Sequence, residues 1–267
     1  MKIGLISDSL RLDFKSSVEK AASLGVTGIQ KYLVNGEFDP YNMTKAKIVE
    51  VKNIMNSTGL VFSAICGDFG IDFDNVEQKE FIITKSKKIL DIAKELDCNI
   101  VTTHIGHIED DESKRMELLR ATASELAVYA DSIGSYFAAE TGTEKAPVLK
   151  KFLDSLGAKG LRINYDPANL VMVAGDDPVK GVHILKDYIV HTHAKDGIKT
   201  GDKTFLEVPL GTGGVDFDEY LKALNTIGYT GYLTIEREVG ETPAADIKLA
   251  FDFLIEKLTK LNISYEK

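Results

Sequence analysis

Four apolar runs in the second half of the chain each end on a residue that can hold a metal ion or carry a proton. They are Phe137-Ala138-Ala139-Glu140, Leu161 to Asp166, Tyr188 to His193 and Gly231 to Glu236. Taken singly, an acid at a strand end is a helix N-cap or a solvated loop residue, and a histidine there packs or hydrogen-bonds inside the fold. Taken together, four such endings on consecutive strands predict convergence, because a parallel barrel points the C-terminal ends of all its strands at one mouth. Three carboxylates and an imidazole suit a hard-to-borderline cation such as Mn²⁺, Mg²⁺ or Co²⁺, with positions left open for water or substrate oxygens. Zn²⁺ takes the same donors, although no thiolate points to it. The same groups could move protons.

Short apolar runs alternate with longer helical stretches, the pattern of parallel βα units. Strands are expected to begin near Lys2, Thr27, Leu60, Asn99, Ser135, Leu161, Tyr188 and Gly231, eight in all. Ile82, Ile83, Ser86, Ile89, Leu90, Ala93 and Leu96 fall on one helical face, as do Met116, Leu119, Ala123, Leu126, Ala127, Ala130 and Ile133. A last helix should start at Thr242-Pro243 and bury Ile247, Ala250, Phe251, Leu254, Leu258 and Leu261. Gly25, Gly59, Gly134, Gly157 and Gly228 stand where helices should stop. With 267 residues and no Pro/Ser-rich linker or charge block, the chain fits a single (β/α)₈ TIM barrel over residues 1–267. A doubly wound sheet would need a Gly-rich turn after the first strand, and there is none. One long irregular stretch, from about Ala194 to Val215, leaves from the mouth and has the length of a binding loop.

Composition narrows the function. A net charge of −9 without a basic cluster argues against a nucleic-acid partner. Lys85, Lys87, Lys88, Lys257 and Lys260 fall in amphipathic stretches and are expected on solvated helix faces. Cys66 and Cys98 have neither C-x-x-C nor secreted-type spacing, which predicts free thiols and a cytoplasmic setting. Lys2-Ile3-Gly4-Leu5-Ile6 enters a strand at once, with no signal-peptide core, and no run of about 18 apolar residues predicts a membrane span.

Further residues near the expected mouth have two readings each. His104, ending the fourth strand, contacts substrate oxygens or orients a carboxylate, or else is a buried structural histidine. Cys66, ending the third, reads as pocket wall rather than nucleophile. Lys195 and Asp196 position substrate or cap the next segment. His107 lies in a loop that could meet substrate, and His183 in a helical stretch reads as structural. Gly211-x-Gly213-Gly214 does not link a strand directly to a helix as a phosphate loop does, so a turn bringing backbone near the mouth is the better reading. Lys195, Lys199 and Lys203 on the same loop leave phosphorylated substrates open.

Several segments carry a resemblance: Glu140-Thr141-Gly142, Asn164 to Leu170, His191-Thr192-His193-Ala194-Lys195-Asp196, Val208 to Phe217 and Ile235-Glu236-Arg237-Glu238. In strand order they resemble the sugar isomerase/epimerase superfamily of xylose isomerase-like TIM barrels, with its inosose dehydratases, ketose 3-epimerases and endonuclease IV branch. The likeness covers nearly the whole chain and is strongest from residue 99 onward. It implies a divalent metal, most naturally Mn²⁺, held by Glu140, Asp166, His193 and Glu236. The second histidine of the pair matches the family ligand, which leaves His191 to line the pocket or pack beneath it. His104, Asn169, Lys195, Lys199, Cys66 and His191 then form the substrate-contacting set. Two departures matter. Asn169 stands where endonuclease IV and many ketose epimerases carry histidine, which breaks a three-metal phosphodiesterase site. Lys199 stands near the place of an epimerase arginine and lacks its bidentate fork.

The activity implied is proton transfer beside a sugar carbonyl through a cis-enediolate, with Glu140 and Glu236 as the proton carriers. A lyase acting on an inosose or a 3-keto-glycoside through the same enolate is the alternative. An endonuclease and a non-catalytic sugar-binding barrel are the remaining readings. The expected partner is a small sugar or polyol. Dimers or tetramers are common among such proteins, and no feature of the sequence selects either.

Overall fold

The computed structural model describes residues 1–266. All eight expected barrel strands form: β1 (Lys2–Ile6), β2 (Gly28–Tyr32), β3 (Val61–Cys66), β4 (Ile100–Thr103), β5 (Tyr136–Glu140), β6 (Leu161–Tyr165), β7 (Ile189–Ala194) and β10 (Tyr232–Ile235). They close in the ring order β1-β10-β7-β6-β5-β4-β3-β2, every neighbouring pair parallel. Closure leaves no free edge. It also buries strand residues on both faces, which is why these runs read as nearly continuous apolar sequence.

Helices α1 (Phe14–Leu24), α2 (Lys45–Thr58), α3 (Lys79–Glu95), α4 (Lys114–Ser132), α5 (Ala146–Asp154), the one-turn α6 (Pro167–Asn169), α7 (Pro178–Leu185), α8 (Phe217–Thr226) and α9 (Pro243–Lys260) alternate with the strands. Side-chain caps start several of them: Asp13, Thr44, Ser113 and Asp216 each accept from a backbone N–H three residues on. The expected faces of α3 and α4 are buried except for Ile133, which is half-buried. Pro243 opens α9 as expected, but the Thr242 side chain makes no capping bond, and Phe251 and Leu261 are only half-buried. All five expected helix-stop glycines have positive φ.

Two expectations fail. Lys85 is buried rather than solvated: its Nζ donates to Val34 O (3.0 Å), pairs with Asp39 (3.3 Å) and lies over the rings of Phe69 and Phe81. A long apolar stem lets a lysine be covered while its ammonium finds acceptors, which periodicity alone cannot reveal. The stretch 194–215 is not irregular throughout, since β8 (Asp196–Lys199) and β9 (Phe205–Val208) pair antiparallel as a ribbon beside the mouth. Both cysteines are free and buried. Among the described residues, no helix is long and apolar enough to cross a membrane.

Candidate functional site

Glu140 ends β5, Asp166 follows β6, His193 lies in β7 and Glu236 follows β10. One donor atom from each lies within 4.8 Å of the others. His193 Nδ1 is 2.7 Å from Glu236 Oε2, 3.6 Å from Glu140 Oε2 and 3.8 Å from Asp166 Oδ2. Asp166 serves two ends. Its Oδ1 caps α6, accepting from the N–H groups of Ala168 (2.8 Å) and Asn169 (3.0 Å), while its Oδ2 is left over. Asp166 Oδ2, His193 Nδ1 and Glu236 Oε2 are buried without a hydrogen-bond partner. The last two are close but lack the direction a hydrogen bond needs.

Buried polar atoms left unpaired cost free energy, and three of them facing one point fit a cation held between them. His193 can be oriented for that: its Nε2 meets Gln30 Oε1 (3.1 Å) and Asn164 Nδ2 (3.2 Å), and in the tautomer that gives Nε2–H to Gln30 the Nδ1 lone pair faces the carboxylates. The local charges pull the two glutamates apart. Burial raises Glu140, but His193, His104 and Lys195 outweigh it and hold the carboxyl below its ordinary value. Burial leaves Glu236 raised, with repulsion from Glu140 adding to it. Burial would lower His193, yet Glu236 and Glu140 lift it well above its usual range. The site draws positive charge to this point.

Beneath lies a chain of buried hydrogen bonds. Thr234 Oγ1 meets His191 Nε2 (2.8 Å), His191 Nδ1 meets Asn164 Oδ1 (2.8 Å), and Asn164 Nδ2 donates to Glu140 Oε2 (3.1 Å). Burial, with His193 adding to it, lowers His191 well below its usual value, so its Nδ1 is a neutral N–H donor. His191 is buried and does not line the cavity, which matches the expectation that it packs beneath it. It packs edge-on to His193 at 5.7 Å and holds Asn164. Asn169 Nδ2 donates to the other Glu140 oxygen (2.9 Å). Gly142 lets the chain pass closely here: its φ is +135°, and a Cβ would lie 2.1 Å from Asn169 Cβ.

Above the cluster opens a cavity of about 370 Å³ whose walls include Gln30, Cys66, His104, Asn169, Lys195 and both glutamates. His104 Nδ1 bonds Asp68 Oδ2 (2.7 Å), and its Nε2 lies 3.7 Å from Glu140 Oε1. Glu140 first, then Asp68, raise it to about 9. Lys195 Nζ sits 3.2 Å from Glu236 Oε1 and 2.8 Å from Glu238 Oε2. Burial pushes the Cys66 thiol up to about 12, in keeping with a wall residue.

Lys199 lies exposed on the ribbon and does not line the cavity, because β8 carries it away from the mouth. His107 and His183 are exposed. Asp196 organises the glycine loop, accepting from the N–H groups of Gly197 (2.9 Å), Gly211 (3.0 Å), Gly213 (2.8 Å) and Val215 (3.1 Å). Those amides are spent, so no phosphate cradle remains there. Sequence reasoning missed Gln30, Asn164, Tyr32 and Glu238, and it placed Asp68 in the wall beside Cys66 without its bond to His104. Gln30 and Asn164 had a signal, as uncharged polar residues inside apolar strand runs.

A family model described as xylose isomerase-like TIM barrel matches residues 18–257. The L-ribulose-5-phosphate 3-epimerase UlaE of Escherichia coli is 37% identical over 75 residues, covering 27% of this chain and 25% of that protein. The chain spans between a quarter and about half the length of the curated relatives it matches first. Among solved structures, a xylose isomerase domain protein from Planctomyces limnophilus superposes with TM-score 0.85 at 26% identity, over 92% of this chain and 94% of that one. The IolI protein, solved with a zinc atom, superposes with TM-score 0.81 at 16% identity over 98% and 99%, which speaks for the fold. With its closed eight-stranded ring and the match along 18–257, the chain belongs to the family of xylose isomerase-like TIM barrels.

Proposed function

We propose that this protein is a divalent-metal-dependent sugar isomerase or epimerase that moves a proton at the carbon beside a carbonyl. The observation that carries the reading is the meeting of three buried donor atoms that lack a hydrogen-bond partner, Asp166 Oδ2, His193 Nδ1 and Glu236 Oε2, within one cluster that also holds Glu140. The oxygen-rich donor set favours Mn²⁺, and the zinc of the IolI structure keeps Zn²⁺ in play. Such a cation would polarise the carbonyl and stabilise the charge that develops on its oxygen.

The chain's own residues do the rest. Asn169 and Asn164 hold one carboxylate oxygen each of Glu140, so its orientation is fixed before substrate arrives. Glu236, set beside Lys195, is the second proton carrier. One glutamate takes the proton and the other returns one, to the same carbon in epimerisation or to its neighbour in isomerisation. The 3-epimerase activity named for UlaE supports this class. Elimination is the second reading, favoured by the His104–Asp68 pair, a third proton-bearing group in the same cavity.

The test is incubation with a panel of ketoses, inososes and 3-keto-glucosides in D₂O, followed by NMR. Deuterium in an unchanged skeleton supports the isomerase, and loss of a substituent supports the lyase. Glu140→Gln protein that binds metal but exchanges substrate protons at the wild-type rate would remove Glu140 from the scheme. Purified protein with no divalent ion and no affinity for one would overturn the whole reading.

A further inference from the structure

Opposite its carboxylate floor, the cavity has a wall of another chemistry. Met172, Phe205, Leu206 and Val239 line it, and three of them are large apolar side chains left open to water: Phe205 at 54%, Leu206 at 52% and Val239 at 44% exposure. The C–H face of a bare polyol covers one such side chain at most and leaves the rest of the wall open to water.

The wall is fixed in place over the mouth. On β9, Glu207 pairs with Arg237 (2.7 Å), the residue after Glu236, and Arg237 also pairs with Asp246 at the start of α9 (2.8 Å). Asp196 ties the start of the ribbon to the loop that follows it through four backbone bonds. Arg11 holds the carbonyls of Glu238 (3.0 Å) and Gly240 (2.9 Å) on either side of Val239. The wall also brings no positive charge. The cationic side chains lining the cavity are Lys195 and His104, and each is engaged by carboxylates. A phosphate would find no free partner beside Phe205 and Leu206.

We propose that this wall is a subsite for an apolar substituent on the sugar, so that the ligand is amphipathic, an alkyl or aryl glycoside whose ring keeps a carbonyl (a keto-glycoside) rather than a free or phosphorylated monosaccharide. Because the wall and the carboxylate floor bound one cavity, a single molecule must satisfy both, with its oxygen-rich ring below and its apolar group against β9. This deepens the sugar-directed reading above and rests on it for the polar half of the ligand.

The test compares phenyl β-D-glucoside with methyl β-D-glucoside by titration calorimetry, with and without Mn²⁺. Wild-type protein is expected to bind the phenyl compound at least about tenfold more tightly, the scale of discrimination that apolar pockets reach. In the Phe205→Ser/Leu206→Ser double variant the ratio should fall below about threefold, whereas Phe205→Leu should keep most of it. Both side chains are over half exposed, so the substitutions leave the barrel core untouched. Equal affinities, binding of neither glucoside, a preference undiminished in the double variant, or a change of oligomeric state without a change in preference would each overturn the proposal. Metal affinity and proton exchange, read separately, report on the underlying activity.

Discussion

Asn164→Leu should damage both stability and turnover. The asparagine is fully buried and makes three polar contacts that leucine cannot: it donates to Glu140 Oε2 at 3.1 Å, accepts from His191 Nδ1 at 2.8 Å and lies 3.2 Å from His193 Nε2, the first two setting the cost. Losing a hydrogen bond to a charged group costs about 1.5–3 kcal/mol, and stranding the buried His191 donor costs about 1–3 kcal/mol. Together they predict a loss of roughly 3–5 kcal/mol. For a chain of this size that lowers Tm by about 5–9 °C. His191→Phe alone should cost about 1–3 kcal/mol, since it leaves Asn164 Oδ1 unpaired.

The two changes share one bond, so the double variant should lose at least about 1 kcal/mol less than the sum of the singles. Urea denaturation of the four proteins at pH 7 without metal measures the cycle. Additivity to within about 0.5 kcal/mol would refute the hydrogen-bond chain as drawn. A second readout guards against a purely structural role. With Glu140 freed on one side, substrate proton exchange should slow by about a hundredfold while metal is still bound.

Gln30→Met removes the acceptor for His193 Nε2 and should weaken Mn²⁺ binding about 10–100-fold, read by competition with a fluorescent chelator. Gly142→Ala forces a side chain into φ +135° and against Asn169, and is expected to cost roughly 2–4 kcal/mol in a denaturant titration. Burial raises Glu144 from 4.5 to about 6. The proton that the fold retains there stabilises below pH 4.5, and this contribution is lost as pH rises through 6, a difference of about 2 kcal/mol. Glu144→Gln should therefore gain about 1–2 kcal/mol at pH 7.5 and change little near pH 4.5, as thermal melts at both pH values would reveal. Chelation should lower Tm, because the buried carboxylates of Glu140, Asp166 and Glu236 then repel one another.

The barrel was legible because a strand buried on both faces, such as Phe137-Ala138-Ala139, leaves a short continuous apolar run, and such runs alternate with long amphipathic stretches whose stops are marked by glycines. Glu140, Asp166, His193 and Glu236 were legible for a related reason: strand ends are fixed positions in that geometry. What lay beneath them was not. That Asn164 bonds Glu140 depends on β5 pairing with β6 so that Glu140 stands opposite Asn164, a register no local pattern states. The ribbon was hidden as well, since it is organised by Asp196 reaching residues 15 to 19 positions further on. Lys85 misled because its charge says surface while its ammonium is buried against the Val34 carbonyl, Asp39 and two rings.

The ring closes where β10 slots between β1 and β7, and Glu236 comes just after that strand. During synthesis, then, Glu140, Asp166 and His193 emerge long before their fourth companion. A chain carrying only the first seven strands lacks both Glu236 and the strand that closes the ring beside His193. The electrostatic penalty of crowding the four groups together is deferred until the final strand docks, when the apolar burial able to offset it arrives in the same step.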